Sequence, residues 1–276
     1  MDEKRELSAQ LTCELISIGN ELLMGKVVNT NASWLADRLT RLGVAVKRII
    51  VVGDDLEEIS SCVKEVLSRK PSFIITTGGL GPTYDDKTLE GLAMALDREL
   101  AVHPEALEMV RRKYESMGEG LTEARIKMAR IPEGSEPLHN PVGTAPAVRI
   151  SYGSTIIYAL PGVPREMEAI FNENVSKEVS SSSGFKIAEH SIRIVGVMES
   201  ALAPMISRVK EHYPGVYVKS HPKGSEEKPV IHVYFNAFNR DEVVAKKTVS
   251  EAVKEFVKLV EESYGKVVYP LKNVDA

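Results

Sequence analysis

Short apolar runs alternate with segments of helical spacing from the start of the chain. Residues 11–18 form a strand-like run that ends at Gly19. Over residues 31–42, Trp34, Leu35, Leu39 and Leu42 share one helical side, and Gly43 supplies a C-terminal stop. A Val- and Ile-rich strand over 44–52 follows. Asp54 or Asp55 then stands where it can cap a helix whose apolar residues Ile59, Val63, Val66 and Leu67 recur at helical spacing. Pro71 opens a third strand, 72–76, and a helix over 87–96 comes after it. Helices over 103–117 and 121–129, a hairpin pairing 147–150 with 155–160, and a helix over 165–172 complete this part. Such alternation predicts an α/β domain with a three-layer parallel sheet, because parallel strands need crossovers that place helices on both faces.

The pattern changes at residues 180–184, four serines and a glycine that read as linker-like. This places a first domain at 1–178 and a second, smaller one at 185–276. Beyond the boundary the order is strand (187–195), helix (201–212), strands (216–220 and 230–235) and helix (241–264). It predicts an α+β unit with helices on one face of its sheet. Pro204 is expected in the first turn of its helix, where a missing N–H breaks no intrahelical bond.

Composition adds exclusions. A chain of 276 residues with 43% hydrophobic and 27% charged residues is ordinary for a soluble protein with one larger and one smaller domain. Its net charge of −4 supplies no basic excess to neutralise a nucleic acid or a membrane surface, so neither is expected as a partner. Cys13 and Cys62 show no metal or redox spacing. No apolar run approaches the ~20 residues of a membrane span, and residues 1–10 lack a signal-peptide core. A reduced, cytoplasmic location is the expectation.

The candidate chemistry gathers at Thr76-Thr77-Gly78-Gly79-Leu80-Gly81-Pro82-Thr83-Tyr84-Asp85-Asp86-Lys87-Thr88. In open α/β sheets ligands bind outside the carboxyl ends of strands, and this segment leaves such an end. Gly78, Gly79 and Gly81 allow close backbone approach, and successive N–H groups before a helix N-terminus form an anion site, with Thr76, Thr77 and Thr83 as added donors. A glycine turn also serves simply to make a tight strand–helix connection. Asp85 and Asp86 would repel a phosphate unless a cation lies between them, and Mg²⁺ is typically held by one or two carboxylates plus phosphate oxygens. The alternative is that they only charge the next helix N-terminus.

Three other segments fall at strand ends or turns. Glu21 follows the first strand, and Asn29 or Thr30 either caps the next helix or meets a ligand. The loop 140–147 contains Gly143 and Thr144, and the turn 160–167 contains Pro161 and Gly162. The six histidines are scattered, with His139 alone beside one of these loops. No G-x-x-x-x-G-K-[ST], G-x-G-x-x-G or G-x-S-x-G pattern occurs, so hydrolysis would use activated water and not a covalent intermediate.

Taken in order, Ile18–Leu23 with Asn29–Ala32, Thr76–Asp86, Asn140–Pro146 and Leu160–Met167 resemble the CinA (competence/damage-inducible) family. The resemblance implies a MoaB/Mog-like, molybdopterin-binding-like domain over the first 172 or so residues. The stretch from Ile187 to Tyr264 is similar to that family's small KH-like domain, although the GXXG loop of nucleic-acid-binding KH domains is missing. By resemblance, the first domain carries metal-dependent cleavage of ADP-ribose to AMP and ribose 5-phosphate. Asp86 and Asp85 would be catalytic, and both, with Glu21, would hold Mg²⁺, Mn²⁺ or Co²⁺. Thr77, Gly78, Gly79, Gly81, Thr83, Gly143, Thr144, Pro161 and Gly162 would hold a phosphorylated small-molecule ligand. Related cofactor-biosynthesis domains imply one alternative, a molybdopterin-binding or adenylyl-transfer protein with a pterin ligand; a non-catalytic nucleotide-binding module is a separate one. A homo-oligomer, a dimer first, is expected. The nicotinamide-mononucleotide deamidase domain of other members is not expected in this chain. Asn20 stands where many relatives have Asp or Thr, and Ala147 where many have Gly.

Overall fold

The computed structural model describes residues 11–225 and 227–271, which divide into two units between Ser183 and Gly184. In the first unit the order is β1 (Thr12–Ile18), α1 (Asn20–Leu23), α2 (Thr30–Arg41), β2 (Ala45–Val52), α3 (Leu56–Ser68), β3 (Phe73–Thr77) and α4 (Thr88–Leu96). There follow β4 (Leu100–Val102), α5 (Pro104–Glu115), α6 (Glu123–Lys127), β5 (Arg130–Pro132), β6 (Glu136–Leu138), β7 (Ala147–Tyr152), β8 (Thr155–Leu160) and α7 (Pro164–Ile170). A π-helical stretch, Phe171–Val175, joins α7 to α8 (Ser176–Ser183).

The main sheet has the order β2-β1-β3-β8-β7-β6. Its pairs from β2 through β8 are parallel, and β7 and β6 are added antiparallel. Alternate side chains of one strand must enter opposite layers, and they do. Ile16, Ile18, Ile74, Ile157 and Ala159 join a core with residues of α3, α4 and α5, while Leu15, Phe73, Ile75, Tyr158 and Leu160 join one with α2, α7 and α8. The expected three-layer α/β arrangement is therefore present, and it sends the ends of β1, β3 and β8 to one edge.

The opposite edge holds a buried charge. Glu14, 2% exposed, receives Arg69 Nε at 2.8 Å and Nη2 at 2.6 Å, with Arg48 Nη1 at 3.1 Å. Burial pushes its carboxyl up, but the bonds and charges of Arg69 and Arg48 outweigh this and hold it below the usual carboxylate range.

The serine tract is not a linker. It forms the end of α8, with the hydroxyls of Ser181 and Ser182 back-bonded to the Glu178 carbonyl and that of Ser183 donating to the Leu42 carbonyl at 2.5 Å. Serines satisfy helix carbonyls in this way although they favour caps. Glu178, paired with Arg149 at 2.7 Å, fastens the helix to the sheet. The helix expected over 165–172 thus runs on to Ser183.

The second unit contains β9 (Lys186–Val195), α9 (Glu199–His212), β10 (Val216–Pro222), β11 (Val230–Asn239), α10 (Glu242–Tyr264) and β12 (Val268–Pro270). Its sheet is antiparallel throughout, in the order β10-β11-β9-β12. One face packs Ile192, Ile194, Val218, Val233 and Phe235 with Leu202, Val209, Val249 and Phe256 of the helices. Because α9 begins at Glu199, Pro204 lies inside it and not in the first turn. The proline ring removes the bond that would otherwise reach the Ser200 carbonyl. Among the described residues no helix is long and apolar enough to cross a membrane.

Candidate functional site

The carboxyl ends of β1, β3 and β8 open onto a cavity of about 390 Å³. Its wall includes Gly19, Glu21, Asp54, Gly78 to Pro82, Asp85, Asp86, Thr144, Ala145, Pro161 to Val163 and Glu166. The expected Glu21, Gly78, Gly79, Gly81, Asp85, Asp86, Thr144, Pro161 and Gly162 are thus brought together. Thr77, Thr83 and Gly143 are not among the residues lining the cavity.

Each glycine has a distinct job. Gly78 has φ 102°, and a Cβ there would meet the Ile18 carbonyl oxygen at 2.2 Å. Its N–H donates to the Leu160 carbonyl at 3.0 Å, so it is not free for a ligand as the sequence suggested. Gly78 instead lets β1, β3 and β8 close together. Gly162 passes it so closely that an added Cβ would stand 3.3 Å from the Gly78 Cα. The amides of Gly79, Gly81 and Gly162 have no acceptor among the described residues and remain available to an anion. Thr88, the first residue of α4, straps the segment down: its hydroxyl donates to the Gly78 carbonyl at 2.8 Å and its N–H to the Gly79 carbonyl at 3.2 Å.

Asp85 and Asp86 do not cap α4, whose N-terminal flank is Lys87 without a side-chain bond. Both converge on Thr83. Asp86 Oδ2 accepts from the Thr83 N–H at 2.9 Å and lies 2.6 Å from its hydroxyl, while Asp85 Oδ1 approaches the same hydroxyl. A hydroxyl has one proton to give. The two carboxylates therefore share a single hydroxyl donor. The Thr83 hydroxyl, with the charges of Lys127 and Lys87 behind it, holds the Asp85 carboxyl below its ordinary range.

Lys127, at the end of α6, was not singled out by any motif. Its Nζ donates to the carbonyls of Thr83 and Asp86, each at 2.6 Å, and so clamps the loop that carries both aspartates. Asn140 has a similar place in the opposite wall. Its Oδ1 accepts from the N–H groups of Val142 and Gly143 at 3.1 and 2.7 Å, and its Nδ2 donates to the Ala145 carbonyl and to Glu166 Oε2, each at 2.8 Å. Asn20 N–H donates to Asp54 Oδ2 at 2.8 Å, which turns an aspartate expected only as a helix cap toward the cavity; Asp55 caps α3.

On the α2 side, Thr77 is 5% exposed and donates to Ser17 Oγ at 3.4 Å, so its hydroxyl serves packing behind the wall. Asn29 caps α2 by accepting from the Ala32 N–H at 3.1 Å. Asn31 Nδ2 donates to the Gly162 carbonyl at 2.8 Å and holds the Pro161–Gly162 turn. His139 pairs with Glu173 at 3.4 Å away from the wall.

As a metal centre the wall is incomplete by itself. Among the described residues, no three His, Cys, Asp or Glu side chains cluster closely enough to hold an ion. Glu21 shares the cavity with Asp85 and Asp86 without joining them in such a cluster. Asp85 and Asp86 fit an ion whose remaining ligands come from phosphate oxygens and water.

A second concavity, about 520 Å³, lies over one side of α10 and is lined from Val253 to Glu262 by that helix alone, so it has a single wall. It offers none of the convergent polar groups found at the sheet edge.

Residues 14–181 match the protein-family model described as "Probable molybdopterin binding domain". A protein of Aeropyrum pernix is 52% identical over 223 residues, 79% of this chain and 82% of its own length. One from Metallosphaera sedula is 44% identical over 265 residues, covering 95% of this chain and 98% of the relative. Among solved structures, that of the protein CinA, of unknown function, from Thermoplasma acidophilum is 42% identical, with a TM-score of 0.57. The match covers 61% of this chain and 98% of that one.

Proposed function

The chain belongs to the molybdopterin-binding-domain family, and from that premise we propose that its first unit is a CinA-type hydrolase cleaving a nucleotide diphosphate, ADP-ribose to AMP and ribose 5-phosphate. One observation carries this reading: the cavity wall presents free amides for an anion, yet its ionisable side chains are all carboxylates. Glu21, Asp54, Asp85, Asp86 and Glu166 line it, with no lysine, arginine or histidine. A diphosphate reaching Gly79, Gly81 and Gly162 is repelled unless a divalent cation arrives with it. Asp86 and Asp85 would hold that Mg²⁺, Mn²⁺ or Co²⁺, which supplies Lewis-acid polarisation of phosphorus and a more acidic water. The amides orient the diphosphate while Thr83, Lys127 and Thr88 keep the carboxylates in place. In the reaction a water oxygen bonds to one phosphorus and the bridging oxygen leaves with the other.

The test incubates the chain with ADP-ribose and each metal and follows AMP release. Asp86→Asn is expected to lower the rate by about 100-fold or more, with the melting temperature retained. Absence of AMP with every metal would sink the hydrolytic reading.

The family description favours a second reading, a molybdopterin-binding domain, to which the resemblance would add adenylyl transfer. Fluorescence titration with a pterin and incorporation of AMP from ATP distinguish it. Nucleotide binding unchanged by Asp86→Asn, with no product from either assay, would leave a non-catalytic nucleotide-binding module.

A further inference from the structure

In the second unit, the sheet face turned away from α9 and α10 carries its own chemistry. Strand register sets His221 opposite His232, His232 opposite Arg193, and Arg193 opposite Tyr269, one continuous row across all four strands. Lys219 opposes Tyr234 in a neighbouring row, and Tyr217 opposes Asn236 beyond it. Directly opposed residues have Cβ atoms ~4.5–5.5 Å apart, and like charges placed so are unfavourable.

One carboxylate stands on the same face: Glu189, opposite Asn236, accepts from the Tyr234 hydroxyl. Arg193, Lys219, His221 and Lys223 are exposed, and among the described residues no carboxylate forms an ion pair with any of them. Burial, and then the charges of Lys223, Arg193 and His221, hold the His232 imidazole below its ordinary range. The rings are open as well: Tyr217 is 53% and Tyr269 40% exposed, and the Arg193 guanidinium lies 5.6 Å from the Tyr269 ring centroid.

The row crosses four strands, about 14 Å at the usual strand spacing of ~4.8 Å. Arg193 is the fixed cation of this row, and Lys219 in the next row and Lys223 beside Val230 extend the charge over the same face, so a chain of phosphates can meet more than one of them. Cations alone would suit any polyanion. Exposed rings set among them favour one that also brings flat bases, because aromatic stacking with a cationic track is the usual means of holding single strands. The net charge of −4 hides this patch, and register assembles it from residues far apart in the chain.

We propose that the open sheet face of the second unit binds a single-stranded nucleic acid, with Arg193, Lys219 and Lys223 meeting phosphates and Tyr217 and Tyr269 stacking on bases. No GXXG loop is involved, and the proposal stands apart from the chemistry of the first unit. The experiment uses the full chain and a fluorescein-labelled oligouridylate of about 12 nucleotides, followed by anisotropy between about 50 and 200 mM salt. Three phosphate contacts predict a log–log salt slope of about −2, at about −0.7 per phosphate for single strands. The double variant Arg193→Glu/Lys219→Glu should weaken binding at least about ten-fold and flatten that slope. Tyr217→Ala should weaken it about five-fold with the slope kept. If the double variant does not fold, Lys219→Gln and Arg193→Gln carry the same test singly. The proposal is overturned by no binding at the lowest salt, by unchanged affinity in the folded charge variants, or by oligoglutamate competing as well as unlabelled oligonucleotide.

Discussion

The cavity of the first unit is walled by carboxylates and free backbone amides, whereas the open face of the second presents cations and tyrosine rings. The first is concave because parallel strands release their loops at one edge, where glycines let them close together. The second is an open strand surface on which antiparallel pairing aligns side chains in rows. Their ligands must differ accordingly. On the two proposals above, a metal-accompanied diphosphate would occupy the acidic cavity and a polyanion with bases the cationic sheet. If the two sites are independent, damage to one should leave the other working; the first change below tests that separation, and the others sharpen the cavity side of the comparison.

Gly78→Ala is expected to have the largest effect. A methyl group there meets the Ile18 carbonyl at 2.2 Å, and the φ of 102° is itself strained for alanine. Backbone strain and overpacking together cost about 3 kcal/mol. Thermal denaturation should show a loss of several degrees, at about 2–4 °C per kcal/mol for a unit of this size. Affinity for ADP-ribose should vanish while oligonucleotide anisotropy stays at its original value. Loss of both activities together would show that the two units function as one.

Lys127→Met comes next. Hydrogen bonds from a charged donor contribute about 1.5–3 kcal/mol, and this ammonium holds the Thr83 and Asp86 carbonyls at 2.6 Å each. Without the clamp, Asp85 and Asp86 sample more positions and the metal with its ligand binds less well. Calorimetric titration of Mg²⁺ in the presence of ADP-ribose should show about ten-fold weaker binding, with kcat at saturation nearly unchanged. Lys127→Arg should recover part of the affinity. A fall in kcat with unchanged metal affinity would instead place Lys127 against the reacting atoms.

These residues also show what could be read from the chain alone. The longer strands, the glycine edge and the paired aspartates occupy contiguous runs that periodicity and turn chemistry can mark. Lys127 acts on backbone carbonyls, so no spacing rule marks it before the fold is known, and Asn140 lay in a recognised loop whose bonds become legible only in the fold. Glu166 lay inside a recognised turn, but its place in the wall depends on Asn140, which receives it from another loop. The serine tract misled because composition suggested a linker while Glu178 and the hydroxyl back-bonds made it helical. Three-residue strands such as β4, β5, β6 and β12 leave too short a pattern for period two to register. The row across the second sheet is the extreme case, since neighbours in space such as Arg193 and Tyr269 belong to distant parts of the chain.

Asn29→Ala is the smallest change and the most discriminating at the cavity margin. From sequence, Asn29 had two equivalent uses, capping α2 or touching a ligand. Its Oδ1 accepts from the Ala32 N–H at 3.1 Å and its Nδ2 donates to Ser17 Oγ at 2.9 Å, so both ends of the amide are engaged in the fold. Loss of an N-cap costs about 1 kcal/mol, which thermal denaturation can resolve. Asn29→Ser retains a capping oxygen and should recover most of that stability. In both variants affinity for the ligand of the cavity should remain within about two-fold, a change of about 0.4 kcal/mol. A larger loss shared by alanine and serine would mean that the amide reaches the ligand, and the acidic wall would then extend onto the N-terminus of α2.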